Sequence, residues 1–188
     1  MAIGTLGAVG YALFRDLVLE NRRRPKLELR FDAAGSDQVV AARTADTDAA
    51  HVRLRMSNEP GKDTADDVVV IVTEVRRLGP EVETTPIGLP LAWSGSSSQM
   101  TVASVHPGAE RHLDLLHVDL PAGDVELDVL PQPAGEQHLL ASGRFEIDLE
   151  VRARNADASR YTIRAEWEGA GPGETWDRLR VEPPRKRP

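Results

Sequence analysis

The sequence predicts an all-β protein, an immunoglobulin-like antiparallel β-sandwich preceded by one N-terminal hydrophobic helix. Two stretches carry that expectation. In residues 52–57 Val52, Leu54 and Met56 alternate with Arg53, Arg55 and Ser57, and in residues 145–152 Phe145, Ile147, Leu149 and Val151 alternate with Glu146, Asp148, Glu150 and Arg152. A two-residue period is that of a strand with one face in a core and one in water. A third observation is the punctuation: turn residues recur along the chain, and beyond Leu19 no stretch keeps a helical period, which favours a sandwich over an α/β fold. The chain of 188 residues suits one domain with short appendages. We divide it into a hydrophobic helix with a basic flank (1–24), a β-sandwich (25–182) and a basic tail (183–188).

The helix comes first. Residues 2–14, AIGTLGAVGYALF, are apolar and uncharged, and Leu17, Val18 and Leu19 prolong the run past Arg15 and Asp16. As a helix the thirteen uncharged residues reach only about 20 Å, short of the roughly 30 Å hydrocarbon layer, and extension to Leu19 nearly closes the gap. We read the segment as a membrane anchor; the other reading is an amphipathic helix docked on the sandwich or on a second copy. Arg22, Arg23, Arg24 and Lys26 follow at once, and the positive-inside tendency then places the β-domain on the cytoplasmic face, with anionic lipid as a partner of this basic flank. Pro25 ends the helix by disfavouring the helical conformation at Arg24.

The strands are expected in sequence. Leu27, Leu29 and Phe31 alternate with Glu28, Arg30 and Asp32, and a short strand follows at residues 39–43. Residues 52–57 and the Val-rich run 68–75 form a hairpin-like pair across a turn containing Asn58, Pro60 and Gly61. Residues 79–88, with Pro80 and Pro86, read as a connection. Leu89, Leu91 and Trp93 make an apolar patch, and residues 94–99, SGSSSQ, a loop without the spacing of a nucleophile elbow. A strand covers residues 110–118 after a Pro107–Gly108 turn; short apolar runs lie at 125–130 and 138–141. Residues 145–152 and 161–167 form a second hairpin, in which the acidic outer strand with Glu146, Asp148 and Glu150 can lie beside Arg160 and Arg164. Trp176, Leu179 and Val181 add a last apolar segment. With aromatics at only 4%, the core must be built of Val and Leu.

At VRLRMSNEPGKDTADDVVVIVTEV the chain resembles bacterial immunoglobulin-like sandwiches of the CARDB type (cell adhesion related domain found in bacteria). The positions that carry the resemblance are the strand-ending Asn58, Ala65 and the run Val68 to Val72, joined by VHPGAERHLDLL and the hairpin FEIDLEVRARNADASRYTIRAEW. The resemblance spans roughly residues 26–167. It implies binding or spacing without catalysis, and an extracellular setting, in conflict with the charge signal of residues 21–26, which we follow.

Composition narrows the function further. The net charge is −7, yet both ends are basic, so the acidic body repels nucleic acid. Cysteine is absent, which excludes disulfides and thiolate metal sites. Three of the five histidines fall in residues 106–117; Glu110, His112 and Asp114 would share a strand face with His117 pointing the other way, and a solvated face is the preferred reading of that trio. Asp46 and Asp48 lack the glycine and distal glutamate of an EF-hand. We expect no cofactor, no metal and no catalytic residue. The expected function is a membrane-tethered, non-catalytic binding or scaffolding module for a protein partner, with Trp93, Ser94 and Ser96 as a possible binding loop. The alternatives are an exported adhesion or carbohydrate-binding module at the cell surface and a metal-dependent hydrolase.

Overall fold

The computed structural model describes residues 14, 18–32, 38–43, 48–94, 100–119, 124–132, 139–140, 142–169 and 179–188. Residues 18–23 are helical and lead through Pro25 into the strands β1 (Leu27–Arg30), β2 (Gln38–Arg43), β3 (Asp48–Asn58), β4 (Ala65–Leu78), β5 (Glu83–Pro90), β6 (Ala103–Val105), β7 (Glu110–Asp119), β8 (Asp124–Leu127), β9 (Leu139–Leu140), β10 (Gly143–Ala153), β11 (Ala156–Trp167), β12 (Leu179–Val181) and β13 (Arg185–Lys186). They form two antiparallel sheets. One runs β1-β3-β7-β8-β9, with β2 also on β3; the other runs β12-β11-β10-β4-β5, with β13 on β11 and β6 on β4. The protein is an all-β sandwich with a short helix at its N-terminal end.

The alternation seen in the sequence builds the core. Val52, Leu54 and Met56 of β3, Leu113, Leu115 and Leu116 of β7, Val68, Val70 and Val72 of β4, and Ile147, Leu149 and Ile163 of β10 and β11 are all at most 2% exposed and belong to one hydrophobic cluster. Each such side chain contributes roughly 1.5–3 kcal/mol on burial. The β10–β11 hairpin pairs in the expected register, with Ile147 opposite Ile163 on the inside and Glu146 opposite Arg164, and Glu150 opposite Arg160, on the outside.

Two expectations about connections need correction. Residues 52–57 and 68–75 are not a hairpin: β3 pairs with β1, β2 and β7, whereas β4 pairs with β5, β6 and β10. Both strands bury their apolar faces, so the connection between them crosses from one sheet to the other. Asn58, 1% exposed, fixes that crossing: its Oδ1 accepts from the Lys26 amide (3.1 Å), and its Nδ2 donates to the carbonyls of Asp63 (2.8 Å) and Val105 (3.1 Å). The second correction concerns residues 79–88, which contain most of a strand rather than a connection. β5 carries Pro86 and Pro90 because it lies at the sheet edge, where a missing amide costs no ladder bond.

The basic tail also takes a defined place. β13 pairs with β11 through Tyr161–Lys186 and Thr162–Arg185, and Arg187 reaches Asp148 on the outer face of the second sheet. Asp148 is 5% exposed and accepts from Arg76 (3.2 and 3.0 Å) and the Thr162 hydroxyl (2.6 Å), with Arg187 at 3.0 Å. A buried carboxylate of this kind persists only with its charge matched and its lone pairs occupied.

Candidate functional site

The outer face of the first sheet carries the densest set of chemically capable side chains among the described residues. In a regular β7, residues 112, 114, 116 and 118 would share a face. The register instead shifts between the Val52–Leu116 and Arg53–Asp114 pairs, leaving Leu115 as an extra residue. Such a bulge re-aims everything beyond it. Leu115 and Leu116 are both buried, and His117 turns to the same outer face as Asp114, directly opposite His51 of β3. The expectation that His117 points away from Asp114 is therefore wrong, and the bulge is the reason.

Asp128, one residue past β8, completes the cluster. His117 Nδ1 lies 2.8 Å from Asp128 Oδ1, and His51 Nδ1 lies 3.5 Å from Asp128 Oδ2. The imidazole centroids are 5.4 Å apart. Each of the three side chains is partly buried, between 16% and 22% exposed. Burial pushes the Asp128 carboxyl upward, but the hydrogen bond to His117 and the close approach of the His117 and His51 rings outweigh it, so the group sits below the ordinary aspartate value. One ligand atom from each residue falls within 4.8 Å of the other two, close enough for the set to hold a metal ion. Glu126 stands on the far side, its Oε2 3.7 Å from His117 Nε2.

A cleft of about 480 Å³ opens beside the cluster, lined by Trp93, Asp114, His117, Asp128, Pro131 and Gln132 among others. The expected loop residues reach it in part. Ser94 donates its hydroxyl to Asp114 Oδ1 at 2.6 Å, and Asp114 also accepts from Arg53 at 2.8 Å. Trp93 is 3% exposed, its indole N–H donating to the Thr101 carbonyl and its ring lying under Arg111. It is a core residue that walls the cleft. Ser96 lies outside the described residues. The trio Glu110, His112 and Asp114 does not converge as a unit: Arg55 takes Glu110 at 3.4 Å, and Arg53 takes Asp114.

The basic flank sits at one pole of the sandwich, remote in sequence from the cluster. Its backbone is fixed to the β3–β4 crossing: the Arg22 carbonyl accepts from Lys62 Nζ (2.9 Å) and the Arg23 carbonyl from the Asp63 amide (2.7 Å). Arg22 and Arg23 are exposed, Arg24 meets Asp157 at 3.4 Å, and Lys26 meets Glu59 at 2.8 Å. Next to it a groove of about 630 Å³ runs along the edge of β1, between that strand and β13. Lys26, Glu28, Arg30, Glu59, Glu110 and Lys186 line it, and Tyr161 closes its floor, its hydroxyl 3.4 Å from the Leu29 amide and 3.5 Å from the Leu27 carbonyl.

Sequence reasoning missed His51 and Asp128 as partners of His117. Their only signal is that His51 and His117 belong to the polar face of strands later found adjacent, and that Asp128 directly follows a third. Among the described residues no helix is long and apolar enough to cross a membrane. The chain matches no family model and no curated protein.

Proposed function

We propose that the chain is a non-catalytic binding module, held by its N-terminal apolar segment at the cytoplasmic face of a membrane, whose β-sandwich captures a protein partner. The observation that carries the reading is the groove along β1. A four-residue edge strand presents the Leu27 carbonyl and Leu29 amide toward it, each met by one tyrosine hydroxyl at a distance where hydrogen bonds are weak. Charges of both signs flank this edge, the arrangement by which an extended peptide adds as a further strand and is read by its side chains. Position supports the tether: Arg22 and Arg23 are exposed on a helix end bonded to the body, and Lys26, a few residues on, lines the groove, so a membrane-bound helix would hold the groove near the lipid surface. The CARDB-type resemblance implies the same kind of role. An exported carbohydrate-binding module is less favoured, because the described tryptophans and tyrosine, Trp93, Trp167 and Tyr161, are all 3% exposed or less and present no stacking platform on the sheets.

The test compares the full chain with one starting at Pro25 in fractionated bacterial cells, each carrying a photo-crosslinking residue at Glu28 or, as a control, at Glu150. Pelleting of the full chain with membranes, protection from external protease, and a protein adduct at position 28 but not 150 support the reading. Soluble full-length protein removes the tether; adducts equal at both positions, or none, remove the groove as the capture site.

A further inference from the structure

We propose that His51, His117 and Asp128 form a binding site for a divalent transition-metal ion of the zinc class, which joins β3, β7 and the segment after β8 on the outer face of the first sheet. The inference is independent of the partner-capture reading and uses other residues.

Four observations carry it. The donor set is two imidazole nitrogens and a carboxylate, the mixture that suits zinc, nickel or copper and does not suit calcium or magnesium, which prefer oxygen throughout. The donor groups already converge: tetrahedral zinc at its usual bond lengths holds donors about 3.3 Å apart, and here the Asp128 carboxylate lies 2.8 Å from His117 Nδ1 through Oδ1 and 3.5 Å from His51 Nδ1 through Oδ2, with one donor atom from each residue within 4.8 Å of the other two. Small side-chain rotations close the remaining gap. Third, His51 Nδ1 and Asp128 Oδ2 are both fully buried atoms, face each other and have no hydrogen-bond partner. Buried polar atoms are nearly always satisfied, and one ion between these two would satisfy both. Fourth, a further carboxylate is in place: with metal on Nδ1, His117 would direct its Nε2 hydrogen at Glu126 Oε2, 3.7 Å away, the carboxylate–histidine–metal relay that orients ligand rings. The neighbouring cleft, which His117 and Asp128 line, gives the ion an entry path and leaves room for a water or an incoming ligand on the open side.

The full chain, stripped with chelator and desalted, is titrated with Zn²⁺ against a chromogenic competitor, and with Co²⁺ for its visible absorption. One ion per chain is expected, with binding weakened more than about 100-fold in His51→Gln and His117→Gln and about tenfold in Glu126→Gln. His112→Gln, two rows along the same face, should bind as the parent does. Nitrogen-15 NMR of the parent chain covers the case in which a ligand variant does not fold: Zn²⁺ should shift Nδ1 of His51 and His117, leaving their Nε2 atoms protonated. No uptake by the parent chain, uptake undiminished in folded His51→Gln and His117→Gln, loss in His112→Gln, or metal on Nε2 would each overturn the assignment.

Discussion

Asn58 and Asp148 show how much of this fold hangs on single polar side chains. Replacing Asn58 by Ala strands one backbone amide and two carbonyls at the β3–β4 crossing and should cost about 2–4 kcal/mol, read as a lower midpoint in urea with an unchanged slope. A loss under 1 kcal/mol would mean that water replaces the amide. Asp148→Ala leaves Arg76 and Arg187 facing each other without their carboxylate and should cost about 3 kcal/mol. Glu150 offers a pH test. The hydrogen bond from Arg152 outweighs burial and holds its carboxyl below the usual glutamate value. A depressed pKa contributes stability that is present above the unfolded value, about 4.3, and is lost as pH falls through the folded one. Glu150→Gln should therefore lower stability slightly at neutral pH and flatten the stability profile on its acid side below about pH 4; an unchanged acid limb in a pH series of melts would count against it. At this scale the sequence was unevenly legible. Asn58 stood out as the polar residue closing an alternating strand, and Trp93 as part of an apolar patch. The His51, His117 and Asp128 cluster did not, because one extra residue, Leu115, decides which way His117 faces, and a bulge leaves no mark in a pattern of consecutive leucines.

Individual strands were easier to read than their pairings. The β10–β11 hairpin announced its inward face and its cross-strand charges, though β11 begins at Ala156, earlier than its alternation shows, since a tight turn and alternation leave one register that buries the apolar set. β3 and β4 were equally clear as strands and misleading as neighbours. Six residues join them, enough to close a hairpin or to cross a sandwich, and only the partners supplied by β7 and β10 decide between the two. β5 was missed because two prolines hide an edge strand. The two faces of the β10–β11 hairpin should respond differently to mutation. Ile163→Ala removes a fully buried side chain and should cost about 2–5 kcal/mol. A double-mutant cycle on Glu146 and Arg164, 2.9 Å apart but half open to water on the arginine side, should give a coupling of about 0.5 kcal/mol. Chemical denaturation of the five proteins settles both; a coupling as large as the Ile163 effect would mean that the outer charges, not the core, set the register.

In the whole molecule the two sheets share one core, and the C-terminal strand β13 is paired onto the second sheet. Removing residues 183–188 deletes β13 and the Arg187–Asp148 contact, and should lower stability by about 1–2 kcal/mol without loss of the fold, seen as a lower thermal midpoint with an unaltered β-sheet spectrum. An unchanged midpoint would make the tail a bystander. The crossing from β3 to β4 has a further consequence, for the timing of synthesis. β4 is made early, and β5 soon covers one of its edges, but the strand on its other side is β10, which ends only at residue 153. A chain elongating at about 5–20 residues per second leaves the Val68, Val70 and Val72 strand half-clothed for on the order of several seconds. The newborn protein therefore passes through a stage at which its most adhesive segment depends on whatever guards unfinished chains, and a stalled or prematurely terminated copy would be aggregation-prone where the completed one is not.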